Sequence, residues 1–267
     1  MDPSPFRSVY GSTPVIPYFS QPQFHLGPIT IHAFGVLVAT GILLAFRIIR
    51  QRAAATGLDP VLAERLAMRM VIIGFISAHI FDQIAYYPRE VLANPFKLLY
   101  IWQSISSFGG ILGGTLVAVW FVKRQVRGAQ GWRYLDLIAY AFPFAWVFGR
   151  AGCTVAFDHP GYATTFFLAE RYTDGVVRHN LGLDEALLTI PLVILFWLLG
   201  RGKAHLPGFF VGLIAVVYAP IRFLLDTLRW DDARYFGLTP GQYSSIALLV
   251  LGAVVLYWAS KRRQEAC

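Results

Sequence analysis

Charge is what this 267-residue chain has least of. Asp, Glu, Lys and Arg make up 14% of it, against about 25% in an ordinary soluble domain. That shortage excludes a disordered chain, a coiled coil and a typical soluble enzyme. Cysteine is nearly missing too. Cys153 and the terminal Cys267 are too few for a disulfide framework or a cysteine-built zinc site, and no cofactor or metal is expected. The first 28 residues lack the basic opening and apolar stretch of a cleaved signal peptide. Internal repeats and low-complexity tracts are absent as well. What is present is apolar: 56% hydrophobic and 15% aromatic residues, with a mean hydropathy of +0.54. These values point to a membrane protein with short connections.

A bilayer-crossing helix needs roughly 20 apolar residues. Runs of that kind lie at about 29–49, 67–87, 104–122, 134–156, 185–200, 207–226 and 242–260. The expected fold is therefore all-α, a polytopic membrane protein with about seven transmembrane helices. It forms a single integral membrane domain over 1–267. Within it, 1–28 is a proline-rich interfacial segment, 29–260 a helical bundle and 261–267 a basic tail. The longest loop is expected at 157–184.

The chain carries 23 basic and 15 acidic residues, so nucleic acid has to be weighed as a partner. The positions decide against it. Arg47, Arg50, Arg52 and Arg65 share one side with Lys123, Arg124, Arg127, Arg133, Arg201, Lys203, Lys261, Arg262 and Arg263. The opposite side holds fewer. The positive-inside rule then puts the N-terminus outside and the C-terminus in the cytoplasm.

Arg69, Arg150 and Arg222 remain inside spans. Arg69 is near a helix end and can snorkel. Arg150 and Arg222 need a partner or a watery cavity, because a buried arginine costs at least about 2.5–3.5 kcal/mol on insertion scales. At 1.5 Å per residue, His79, Arg150 and Arg222 all lie about 18–24 Å from the cytoplasmic ends of their helices. His32 and Gly109–Gly110 fall in the same outer part. A one-sided polar cluster suits a site that handles a lipid headgroup, whereas an ion path would string such groups through the whole thickness.

Arginine suits phosphate, because its planar fork donates two parallel hydrogen bonds. The bland alternative is internal pairing: Asp226 stands at i+4 from Arg222, while Arg150 has no acid at helical spacing. His79 and Asp82, at i and i+3, form either a carboxylate-oriented base or a structural pair. Asp158-His159-Pro160-Gly161 supplies an acid, a base or a turn. Gly109–Gly110 either admits a lipid glycerol or packs helices.

Four stretches resemble the prolipoprotein diacylglyceryl transferase family over roughly 24–260. They are Leu26 to Gly35, Gly74 to Pro88, Ser106-Ser107-Phe108-Gly109-Gly110-Ile111-Leu112-Gly113, and Asp136 through Gly149-Arg150-Ala151-Gly152-Cys153 to Asp158. Weaker matches are Arg178-His179 with Glu185, and Arg222 with Asp226, Arg229 and Gln242. The resemblance implies transfer of a diacylglyceryl group from phosphatidylglycerol to a lipobox cysteine thiol of a preprolipoprotein, in the bacterial inner membrane. By it, Arg150 holds the phosphate, Arg222 is a second essential arginine and Asp158 stands at the family's acid. Arg229, Gly109 and Gly110 complete the expected phospholipid site.

The departures are Phe108 where the family has histidine, Cys153 for asparagine, Phe34 for tyrosine and His79 for arginine. Phenylalanine cannot take a proton, so the base moves: His79 is expected, with His159 the other candidate. The alternatives are a different acceptor for the same donor, or a lipid-binding homologue without catalysis.

Overall fold

The computed structural model describes residues 16–27, 29–100, 104–202, 205–230 and 232–265. The expected interfacial segment is covered from residue 16 onward; residues 1–15, like the last two of the tail, lie outside the described residues. An antiparallel hairpin opens the described chain. In it, β1 (Gln23–Leu26) pairs with β2 (Ile29–His32). α1 (Ala33–Ala55) follows directly. α2 (Pro60–Tyr86) starts well before the expected 67. Its start is set by the Asp59 side chain, which accepts from Val61 N at 2.9 Å, and by Pro60 in the first position. The polar Glu64 and Arg65 hide that first turn from hydropathy.

The short α3 (Pro88–Ala93) and a 3₁₀ turn (Pro95–Leu99) lead to α4 (Ser107–Trp120), which ends in a π turn (Phe121–Gln125). α5 (Gly128–Ala156) is the longest helix of those described. The segment expected as a long loop then folds into a small antiparallel sheet of β3 (Pro160–Ala163), β4 (Glu170–Arg171) and β5 (Val177–Asn180), in the order β3-β5-β4. The fold is mostly helical, as expected, and this sheet and the N-terminal hairpin are additions to it. Pairing within a sheet satisfies the amides and carbonyls of a connection too long to stay bare.

α6 (Leu181–Gly200), α7 (Phe209–Thr227) and α8 (Pro240–Glu265) complete the chain. α6 begins at Leu181 rather than 185, because Asn180 caps it. The Asn180 Oδ1 accepts from Gly182 N and Leu183 N at 3.0 and 3.3 Å.

Among the described residues, four helical stretches are long and apolar enough to cross a membrane: Ala33–Ala55, Leu181–Gly200, Phe209–Thr227 and Pro240–Lys261. α2 and α5 carry more charge, and α4 has only 14 residues. Large apolar side chains face outward, with Leu43 70% and Leu224 65% exposed. Charged ones such as Arg150, Glu185 and Arg222 are turned inward. That inversion is expected of a chain surrounded by hydrocarbon.

α1 packs on α5, α2 on α4, α5 on α6, and α7 on α8. The α2–α4 contact requires glycine. A Cβ at Gly109 would meet Phe81 Cβ at 2.5 Å and Ser77 O at 2.6 Å. At one end, Ile49, Ala53, Leu58, Ala63, Leu66, Phe121, Tyr134 and Leu135 form an apolar core.

Candidate active site

The polar residues meet where α5, α6 and α7 converge beneath the small sheet. Arg150 on α5 is 3% exposed, and its Nε lies 3.1 Å from Glu185 Oε1. Glu185 reaches it because α6 starts hard against α5. A Cβ on Gly182 would lie 2.7 Å from Thr154 N, and Asn180 Nδ2 donates to Thr154 O at 3.0 Å.

Glu185 is the hub. Its Oε1 also accepts from Trp146 Nε1 at 2.9 Å and from the Tyr218 hydroxyl at 2.5 Å. Its Oε2 accepts from Arg222 Nη1 at 2.6 Å. Arg222 Nη2 continues to Asp226 Oδ1 at 3.0 Å, Arg229 Nε lies 3.3 Å from the same oxygen, and Arg229 Nη1 bonds Asp232 Oδ2 at 2.6 Å. The Thr239 hydroxyl donates to the other Asp226 oxygen.

The result is a chain of alternating charges, Arg150–Glu185–Arg222–Asp226–Arg229–Asp232, balanced in formal charge. Aromatic faces flank it. The Arg150 guanidinium carbon lies 4.6 Å over the Trp146 ring, and that of Arg222 5.5 Å over Phe108. Buried Nε atoms of Arg150, Arg222 and Arg229 have no hydrogen-bond partner among the described residues, although each arginine stands in an ion pair. Arg150 Nε and Arg229 Nε nevertheless face carboxylate oxygens at 3.1 and 3.3 Å, as ion-pair contacts.

A family model for prolipoprotein diacylglyceryl transferase matches residues 21–258. The chain belongs to that family. A phosphatidylglycerol–prolipoprotein diacylglyceryl transferase of Solidesulfovibrio magneticus is 31% identical over 254 residues, covering 91% of this chain and 95% of its own. Proteins of the same name from Symbiobacterium thermophilum and Tolumonas auensis are 27% and 26% identical. They cover 90% and 89% of this chain and 93% and 95% of their own.

Within this diacylglyceryl transferase frame, the glycine-arginine signature has a local rationale. Gly152 lets α1 come close, since a Cβ there would lie 3.0 Å from the Phe34 ring. Just past the signature, α5 ends at Phe157, which has φ 54°. A bulky residue in the left-handed region is strained. Here the Tyr18, Phe19 and Tyr172 rings, with centroids 5.0–5.5 Å away, hold it. The turn folds Asp158 and His159 back toward the last turn of α5, where Cys153 sits. His159 Nδ1 lies 2.5 Å from Asp158 Oδ1. Desolvation lowers the His159 pKa; the Asp158 bond opposes this, and the nearby Arg229 charge adds to it. Arg229 is tied to the sheet through a bridge between it and Gly161.

His79 is placed differently. It is 0% exposed, with Nδ1 3.1 Å from Ser104 O and Nε2 3.1 Å from Lys97 O. Asp82 accepts instead from the Ser104 hydroxyl at 2.6 Å. Both residues therefore secure the connection between α3 and α4, and neither His79 nitrogen is left open. Gly109 and Gly110 face α2, with a Cβ at Gly110 meeting Gly74 O at 3.7 Å and Ala78 Cβ at 3.8 Å. Of the expected residues, Arg150, Arg222 and Arg229 share one charge chain, and Asp158 and His159 stand together beside it.

Arg150 has no acid at helical spacing, and its partner comes from another helix. Spacing along α5 was blind to it. The available signal was Glu185 itself, an acid at the edge of an apolar run that membrane burial makes costly. Trp146 and Tyr218 left no such mark, since both pass for ordinary core aromatics.

Proposed function

We propose that this chain transfers a diacylglyceryl group from phosphatidylglycerol to the lipobox cysteine thiol of preprolipoproteins. It would work at the outer leaflet of the bacterial inner membrane, as a single seven-span domain with its N-terminus outside. The observation that carries the reading is the buried charge chain from Arg150 to Arg229 beside the Asp158–His159 pair.

Arg150 and Arg222 hold the phosphate of the donor, assisted by Arg229. Glu185 keeps the first two guanidiniums oriented while the lipid is absent. His159, oriented by Asp158, takes the proton of the acceptor thiol, because the thiolate is the attacking species. The sulfur attacks the glycerol carbon that bears the phosphate ester. The carbon–sulfur bond forms as the carbon–oxygen bond breaks, and the electron pair leaves on the oxygen of glycerol phosphate. The arginines stabilise the charge that develops there. Support for His159 over His79 comes from accessibility: His79 is fully buried, with each ring nitrogen facing a backbone carbonyl. Gly109 and Gly110 support the site by letting α4 rest on α2.

Purified protein given phosphatidylglycerol and a lipobox peptide tests this. The expected products are a thioether-linked diacylglyceryl peptide and glycerol phosphate. Donor binding without either product favours the non-catalytic lipid-binding alternative.

A further inference from the structure

Cys153, Asp158 and His159 each bring one metal-ligating atom to within 4.8 Å of the others. The convergence has a structural cause. Cys153 is buried on the last turn of α5, and the left-handed Phe157 reverses the chain so that the next two residues return to it. We propose that these three side chains form a binding site for a zinc-class divalent cation at the edge of the arginine chain.

The ligand set is mixed sulfur, nitrogen and oxygen, which suits Zn²⁺, Co²⁺ and Cd²⁺ and disfavours Mg²⁺ or Ca²⁺. A tetrahedral zinc site separates its ligand atoms by about 3–4 Å. Closing from 4.8 Å asks only for side-chain rotation, and Asp158, 40% exposed, is free to make it. The His159 Nδ1–Asp158 Oδ1 contact shows that the two side chains already converge, and a metal bound between them would take the place of that hydrogen bond. Charge also matches. A thiolate and a carboxylate supply two negative charges for the dication. Arg150, whose Nη1 lies 3.7 Å from Cys153 Sγ, is balanced separately by Glu185. Three protein ligands leave one position open to solvent. The site stands on this geometry whether or not the chain transfers lipid; if it does, metal and acceptor thiol compete for His159.

The test is a Co²⁺ titration of the purified, tag-free protein in detergent, read by absorption and by metal content after gel filtration. One equivalent should bind, with a thiolate-to-cobalt charge-transfer band that Zn²⁺ abolishes by displacement. Cys153→Ser should lose the band, and His159→Gln and Asp158→Asn should each weaken binding at least tenfold. His205→Gln, at a histidine elsewhere in the fold, should leave both unchanged. Thermal unfolding without metal checks that each variant is folded. Because Asp158 is exposed, its variant keeps the test decisive if Cys153→Ser fails to fold. No stoichiometric binding, binding without the band, or equal binding by these site variants would overturn the proposal.

Discussion

The two ends of the helical bundle are built on opposite terms. At one end, Ile49, Ala53, Leu66, Phe121 and Leu135 fill the space between α1, α2 and α5 with hydrocarbon, and little there depends on direction. At the other, α5, α6 and α7 are held by a chain of charges in which Glu185 and Asp226 each meet two guanidiniums. An apolar core tolerates a change of shape if volume is kept. A buried ion chain does not, because removing one member leaves its neighbours uncompensated. The difference says where function lies: buried charge in a membrane chain is costly and persists where something uses it.

Glu185→Gln breaks that contrast most severely. It leaves Arg150 and Arg222 facing a neutral amide, and destabilisation of about 3–5 kcal/mol is expected. Thermal unfolding in detergent should show it, together with loss of transfer. A drop no larger than that of a surface variant would mean that the charge chain does not brace the helices.

His159→Ala separates chemistry from bracing. Transfer should fall by about 10²–10⁴-fold, the range for losing a general base, with little change in unfolding temperature. His79→Ala should do the reverse. It removes the ring that packs between two carbonyls of the connection between α3 and α4, lowering stability more than turnover. Exchange of these two phenotypes would move the base to His79.

Leu66→Ala probes the apolar end. Leu66 is fully buried there, and truncation should cost about 2–5 kcal/mol. The enzyme that remains folded should keep its catalytic rate. A specific loss of rate would show that the two ends are coupled.

The smallest effect is expected outside both regions. The Asp174 carboxylate accepts from Arg178 at 2.7 Å, and that bond holds its pKa below the ordinary value. Its contribution is present above the unfolded pKa of about 3.9 and is lost as pH falls through the lower folded value. Asp174 is half exposed, so Asp174→Ala should cost about 0–1 kcal/mol near neutral pH. A larger loss on calorimetry would make the small sheet a third region of concentrated stability.

The apolar runs marked the helices well because hydrocarbon length is a crude and strong signal. Boundaries failed where a cap outranked hydropathy, at Asp59–Pro60 and at Asn180. The sheet at 160–180 was illegible because its strands are two to four residues long. In the site, Arg150 and Arg222 stood out as isolated charges in apolar surroundings, and Asp226 was readable at i+4 from Arg222. Glu185 escaped because its partners lie on other helices, Arg222 being 37 positions away. His79 and Asp82 looked like a dyad because spacing reports which residues share a face. It does not report which carbonyls will cross that face.

The measurement that bears most directly on the phosphate-holding role is single-turnover transfer by Arg150→Lys. Lysine keeps the positive charge beside Glu185 but loses the two-pronged fork. Removing one donor aimed at a developing oxyanion costs about 10²–10³-fold. The variant should therefore insert and unfold much as the parent does while transferring at least about 100-fold more slowly. Transfer at the parental rate would contradict the assignment of Arg150 to the phosphate.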